Sequence, residues 1–147
     1  MNRKEKRKAR MLALQLAYGN ELTGSDPEFI GNEFFNHGTD SEKPKEKTLK
    51  YGQHLCSLAI INRSHIDELI VKYSKNWALS RIALTDRLAL RIALTEMIYI
   101  DDVPYKVSIS EAVEISKSFG SEESGAFVNG ILDAAYNDFK KGKQLAE

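Results

Sequence analysis

Six basic side chains crowd the first ten residues: Arg3, Lys4, Lys6, Arg7, Lys8 and Arg10, with Glu5 the one acid among them. Cationic groups at this density suit contact with a polyanion, because arginine grips phosphate through two parallel N–H···O bonds. The whole chain of 147 residues has no net charge, with 21 basic and 21 acidic residues. The +5 of this arm is therefore set against −5 on the rest. A basic arm on an acidic body points to a polyanion at one end. A frayed, solvated terminus has the same composition, and charge alone does not separate the two.

Reactive chemistry is sparse. No glycine-rich phosphate loop of either standard spacing occurs. His37, His54 and His65 follow no metal-binding pattern. Cys56 is the single cysteine, which excludes an internal disulfide and any multi-cysteine metal site. It lies beside Leu55 and Leu58 and reads as a small core residue. His54 and Cys56 sit two apart on an expected helix and face different sides. These features argue against an enzyme and call for no cofactor and no metal. No apolar run approaches the roughly 20 residues of a membrane span. No secretion signal is legible at the start, and a reducing cytoplasm fits the cysteine usage.

The elements that would position these residues are helical. Sustained apolar–polar alternation and hairpin dipeptides are missing, while 3.6-residue spacing recurs throughout. The first helix is expected from about Arg3 to Tyr18, with Gly19 and Asn20 as stops. Asp26 caps a second helix with Pro27 at its first position, carrying Phe29, Ile30, Phe34 and Phe35. Residues 36–47 are polar, with Gly38 and Pro44, and read as a surface loop. A long third helix over about 45–76 carries Leu55, Leu58, Ala59, Ile66, Leu69, Ile70 and Tyr73, with Trp77 in a turn beyond it. A fourth, about Ile82 to Tyr99, is apolar on nearly all sides and reads as the central one. Ser108 and Glu111 form a capping box for a fifth helix that ends near Phe119, with Gly120 as a left-handed stop. Ser121, Glu122 and Glu123 open a sixth, which runs to about Lys140 with Lys140, Lys141 and Lys143 at its negative end. The fold class is all-α, six to seven helices in one compact domain, a length at which about 68–70% of the chain's surface is buried on folding.

At 100° per residue, Arg3, Lys6, Arg7 and Arg10 share one sector of the first helix, and Leu14, Ala17 and Tyr18 continue it. The simplest geometry packs the second half and lets the first two turns overhang. Tyr18 sits where its ring could stack on a base or pack as core. On the sixth helix Phe127 lies at the edge of the stripe of Val128, Ile131, Leu132, Ala135 and Phe139, with Glu123 further round. An exposed ring beside a carboxylate suits unpaired bases; a ring filling a groove suits the core. Gly125 and Gly130 permit close approach of a helix or of a ligand.

Several of these segments resemble one family. Lys6-Arg7-Lys8-Ala9-Arg10, leading into Ala13-Leu14-Gln15 and Tyr18, is similar to the opening of NusB, the bacterial transcription antitermination factor family. The same holds for Asp86-Arg87-Leu88 with Leu90-Arg91-Ile92-Ala93 and Glu96, and most distinctively for Asp102 to Gly120 continuing through Ser121 to Asp133. The likeness covers nearly the whole chain except residues 20–60. It implies two three-helix bundles packed across each other, read here as one NusB-like RNA-binding domain over 1–147. It implies a non-enzymatic factor that binds boxA single-stranded RNA of ribosomal transcripts with NusE, a small-subunit ribosomal protein, in an antitermination complex on RNA polymerase. The RNA residues it implies are Lys6, Arg7, Arg10, Tyr18, Glu123 and Phe127, which assigns both rings to RNA. Asp86 and Tyr105 are its candidates for the protein partner. Two departures stand out: Glu123 where Asp is common, and Gly19 where a large aromatic is common. The alternatives are a NusB-like accessory domain of a ribosomal-RNA methyltransferase system, which the chain's length disfavours, and a helical scaffold without an RNA role. The residues leave a homodimer of the free protein open.

Overall fold

The structure, a computed structural model, describes residues 1–36 and 44–146. Among the described residues there are seven α-helices, one short 3-10 turn and no strand. The expected loop at 36–47 lies largely outside them, as do the side chains of Phe34, Phe35 and Lys143. The chain divides into two compact units, Met1–Ile61 and Asn62–Glu147.

The first unit holds α1 (Arg3–Thr23), α2 (Pro27–Asn36) and α3 (Glu46–Ile61). At the start of α1 the Asn2 side chain accepts from the Glu5 N–H at 2.8 Å, and the Glu5 carboxylate accepts from the Asn2 N–H at 3.2 Å. The exchange satisfies two orphan amides. Ala9, Leu12, Ala13, Leu16 and Ala17 of α1 and Leu55, Cys56 and Ala59 of α3 are buried. The two helices approach closely at Gly52, where a β-carbon would lie 2.8 Å from the Ala9 carbonyl oxygen.

Helix α1 does not stop at Gly19 and Asn20. It runs five residues beyond Tyr18 to Thr23 and ends at Gly24, whose φ of 73° is the left-handed conformation that glycine adopts without strain. Gly19 serves packing instead. Ile30 of α2 fits against it so closely that a β-carbon there would be 3.2 Å from the Ile30 side chain. Ile30 thus occupies the space next to Gly19. The start of α2 is as expected, with the Phe29 N–H donating to Asp26 Oδ1 at 2.9 Å.

The second unit holds α4 (Arg63–Tyr73), the 3-10 turn Leu79–Arg81, α5 (Leu84–Tyr99), α6 (Tyr105–Phe119) and α7 (Glu122–Ala146). Every residue of α5 from Leu88 to Met97 is buried, and α4, α6 and α7 pack on it. Ile66, Ile70, Leu90, Leu94, Val128 and Leu132 form the centre of the core. Each such side chain contributes about 1.5–3 kcal/mol by leaving water.

Three boundaries differ from the sequence reading. The expected helix over 45–76 is two helices, broken at Asn62, whose ψ of 18° leaves the helical path. Ser108 and Glu111 are no capping box, because α6 begins at Tyr105 after Pro104. Both are buried, and the Ser108 hydroxyl donates to Glu96 Oε1 at 2.7 Å, joining α6 to α5. Gly120 ends α6 with φ −130°, not in the left-handed region. The opening of α7 is as expected, the Ser124 N–H donating to Ser121 Oγ at 3.3 Å, but the helix continues past Lys140 to Ala146. Gly125 permits helix approach: a β-carbon would lie 2.8 Å from the Lys117 stem of α6. Gly130 faces open space.

Candidate nucleic-acid interface

The residues singled out for RNA fall in both units, four on α1 and two on α7. On α1, Arg3, Lys4 and Lys8 are exposed, while Lys6 and Arg7 are partly covered. Cations near a helix N-terminus oppose the macrodipole. Arg3, Lys4 and Lys6 stand in the first turn, where they cost helix stability that Glu5 offsets only in part. The arm's single acid is engaged. Lys45 Nζ lies 3.0 Å from Glu5 Oε1, and that hydrogen bond, with the Asn2 amide second, holds the Glu5 carboxyl below its usual range.

Arg10 departs from the overhang expected of it. Only 4% of the residue is exposed. The helical wheel gives the reason, since Arg10 falls between Leu14 and Ala17, both buried. Burial therefore begins one turn earlier than the change from basic to apolar residues suggested. Arg7 and Tyr18 lie at the edge of that stripe, about 20° apart in direction and about 16 Å apart along the axis. Tyr18 is 42% exposed and not a core residue.

On α7, Glu123 is exposed and Phe127 is half-buried. The Phe127 ring packs against the edge of the core and lies 5.8 Å from the Trp77 ring at an interplanar angle of 50°. The ring is thus neither fully buried nor fully exposed: part of it packs on the core and the rest is accessible. The sequence reading gave Trp77 no role. The signal was a large ring directly after the polar stretch Ser74-Lys75-Asn76.

Asp86 stands in the first turn of α5, buried, and its Oδ1 has no hydrogen-bond partner among the described residues. Tyr105 opens α6 and is engaged within its own unit, edge-on to Tyr136 and to Phe139, each at 5.9 Å. Cys56 is fully buried, and burial pushes its thiol up to about 12, far from a usable nucleophile. No described helix is long and apolar enough to cross a membrane.

The sequence profile of the NusB family matches residues 7–137. The chain belongs to the NusB family. The transcription antitermination protein NusB of Trichlorobacter lovleyi is 43% identical over 129 residues, covering 87% of each chain. The protein of the same name from Chloroherpeton thalassium is 39% identical over 92% of this chain, which spans only 63% of that relative's length. Among solved structures, NusB from Aquifex aeolicus matches with a TM-score of 0.77 and 27% identity over 94% of this chain and 91% of that one. A chain in the crystal structure of a plectonemic RNA supercoil matches with a TM-score of 0.82 and 26% identity over 92% of this chain and 96% of that one. The all-α arrangement is therefore the NusB fold.

Proposed function

We propose that this protein is a non-enzymatic transcription antitermination factor of the cytoplasm. It binds boxA-type single-stranded RNA of nascent ribosomal transcripts together with NusE and joins the antitermination complex on RNA polymerase. Membership of the NusB family carries this reading. The charge of the α1 arm and the exposure of Tyr18 support it.

In this reading Lys6 and Arg7 hold phosphates, and Arg10 contributes from its largely enclosed position at the base of the arm. Tyr18 and the accessible part of Phe127 stack on bases. The exposed Glu123 carboxylate accepts from base amino groups. Asp86, with one oxygen unengaged, is the contact offered to NusE, and Tyr105 supports that surface through its ring cluster. The whole chain acts as one RNA-binding module.

The test is RNA binding with and without NusE, on boxA and on a scrambled sequence. Tighter binding of boxA, strengthened by NusE, is the expected result. Equal affinity for both sequences with no effect of NusE would overturn it.

A further inference from the structure

Trp77 is the only tryptophan of the chain and is 52% exposed. It follows Lys75 and Asn76, two non-glycine residues with φ of 59° and 66°. L-residues rarely adopt this left-handed conformation, and here two do so in succession. A strained turn that leaves a large ring half in water works against stability twice, which is the signature of a functional constraint rather than of packing.

The surroundings say what the ring is for. Its neighbour is Phe127, at 5.8 Å, so the two rings form one continuous aromatic edge. Next to it lies an open recess of about 390 Å³, lined by Asn76, Trp77, Ala78 and Arg81. The side chains of Arg81 and Lys75 are exposed and have no ion-pair or hydrogen-bond partner among the described residues. An aromatic face beside uncompensated cations is the composition of a single-strand site, where bases stack on rings and phosphates meet the cations. The recess has room for a planar ring, and its asparagine offers both a donor and an acceptor to a base edge.

We propose that Trp77 is an RNA-contact residue: an unpaired base stacks on its exposed face beside Phe127, with Arg81 on the adjoining phosphate. The inference rests on the RNA-binding reading above and extends its surface from α7 to the turn before the 3-10 helix. Trp77 adds a second ring where family likeness supplied only Phe127.

The single tryptophan makes the test direct. A labelled single-stranded boxA oligoribonucleotide is titrated into the full chain with NusE present, reading RNA anisotropy and Trp77 emission in matched samples, with NusE's own emission subtracted. Stacking is expected to quench the emission as the RNA binds. Trp77→Leu, which keeps apolar cover over Phe127 but removes the extended aromatic face, should weaken binding about 5- to 150-fold. Trp77→Phe should restore most of that loss. The melting temperature of each variant separates lost contact from lost fold. Saturation of the anisotropy signal with unchanged Trp77 emission and unchanged affinity of Trp77→Leu would overturn the role of Trp77 and leave RNA binding standing. Quenching by NusE alone, with no further change on adding RNA, would move the residue to a protein interface and also overturn it. Absence of any RNA binding by the wild type would remove this inference together with the reading it rests on.

Discussion

Arg91 holds Asp67 by two near-parallel bonds, Nε to Oδ1 at 2.7 Å and Nη2 to Oδ2 at 3.0 Å. The pair joins α5 to α4, with the Arg91 side chain only 6% exposed. Arg63 lies 3.8 Å from the same carboxylate but is about half exposed and adds little. Asp67→Ala leaves an enclosed guanidinium without its carboxylate and should cost about 3–5 kcal/mol, a large part of a typical domain's stability. Replacing both residues by apolar ones of similar volume should be close to neutral or stabilising. Urea melts of the single and double variants check this, and equal losses in both would refute it.

RNA binding should weaken as salt rises. Each phosphate held in a single strand contributes about −0.7 to the log–log slope. With about three or four contacts from the α1 arm the slope should be roughly −2 to −3. Affinity measured at four or five salt concentrations gives the number, and a slope near zero would remove the arm from the interface.

Arg7 and Arg10 should behave differently. Arg7→Ala is expected to weaken boxA and scrambled RNA by similar factors with little change in melting temperature, because phosphate contacts position the strand without reading it. Arg10 is buried, so Arg10→Ala should also lower the melting temperature through lost packing of its stem. Thermal melting of the two variants side by side is the check. Equal melting temperatures would contradict the burial of Arg10.

Two glycines should respond with opposite sign. At Gly52 a β-carbon meets the α1 backbone, which has no flexible end to yield, so Gly52→Ala should cost about 1–3 kcal/mol. At Gly130 nothing lies within 4 Å, and Gly130→Ala should stabilise α7 by up to about 1 kcal/mol. Denaturant midpoints decide both signs.

Cys56 should make stability fall at alkaline pH. Its thiol stands at about 12 in the folded protein and near 8.5 in the unfolded chain. Above the unfolded value the unfolded state loses a proton that the folded state keeps, so stability present below pH 8 declines as pH rises towards 12. Tyr73, also raised to about 12 by burial and then by its hydrogen bond to Asp138, acts in the upper part of that window. Comparing the wild type with Cys56→Ala between pH 8 and 10 isolates the thiol. An identical slope in both would refute the assignment. Iodoacetamide should label native Cys56 only as fast as the fold opens.

Residue types at the start of α2 determined the Asp26 cap, and helical periodicity determined much of the rest: the all-α class, the buried stripes of α1 and α7, the apolar run of α5 and the buried Cys56. These are properties local to one helix, and the spacing and types of its own residues carry them. The break at Asn62 was invisible because Ala59 and Ile66 are seven residues apart and return to the same face within about 20°. The stripe runs straight through while the backbone does not. Ser108 with Glu111, and Gly19 with Asn20, are residue types that often cap helices, but here they do not set the helix ends. They were outweighed by contacts with α5 in one case and with Ile30 of α2 in the other, whose partners lie at least eleven residues away. The same holds for the candidate site. Charge singled out the arm, and spacing left both rings open between core and base contact; the family resemblance assigned them to RNA. Only tertiary packing decided that Arg10 is enclosed while Tyr18 stands in water, and that Trp77, fifty residues before Phe127, shares an edge with it. A wheel tells which side of a helix turns inward; what lies against that side, and where burial begins along it, depends on chain that is distant in sequence.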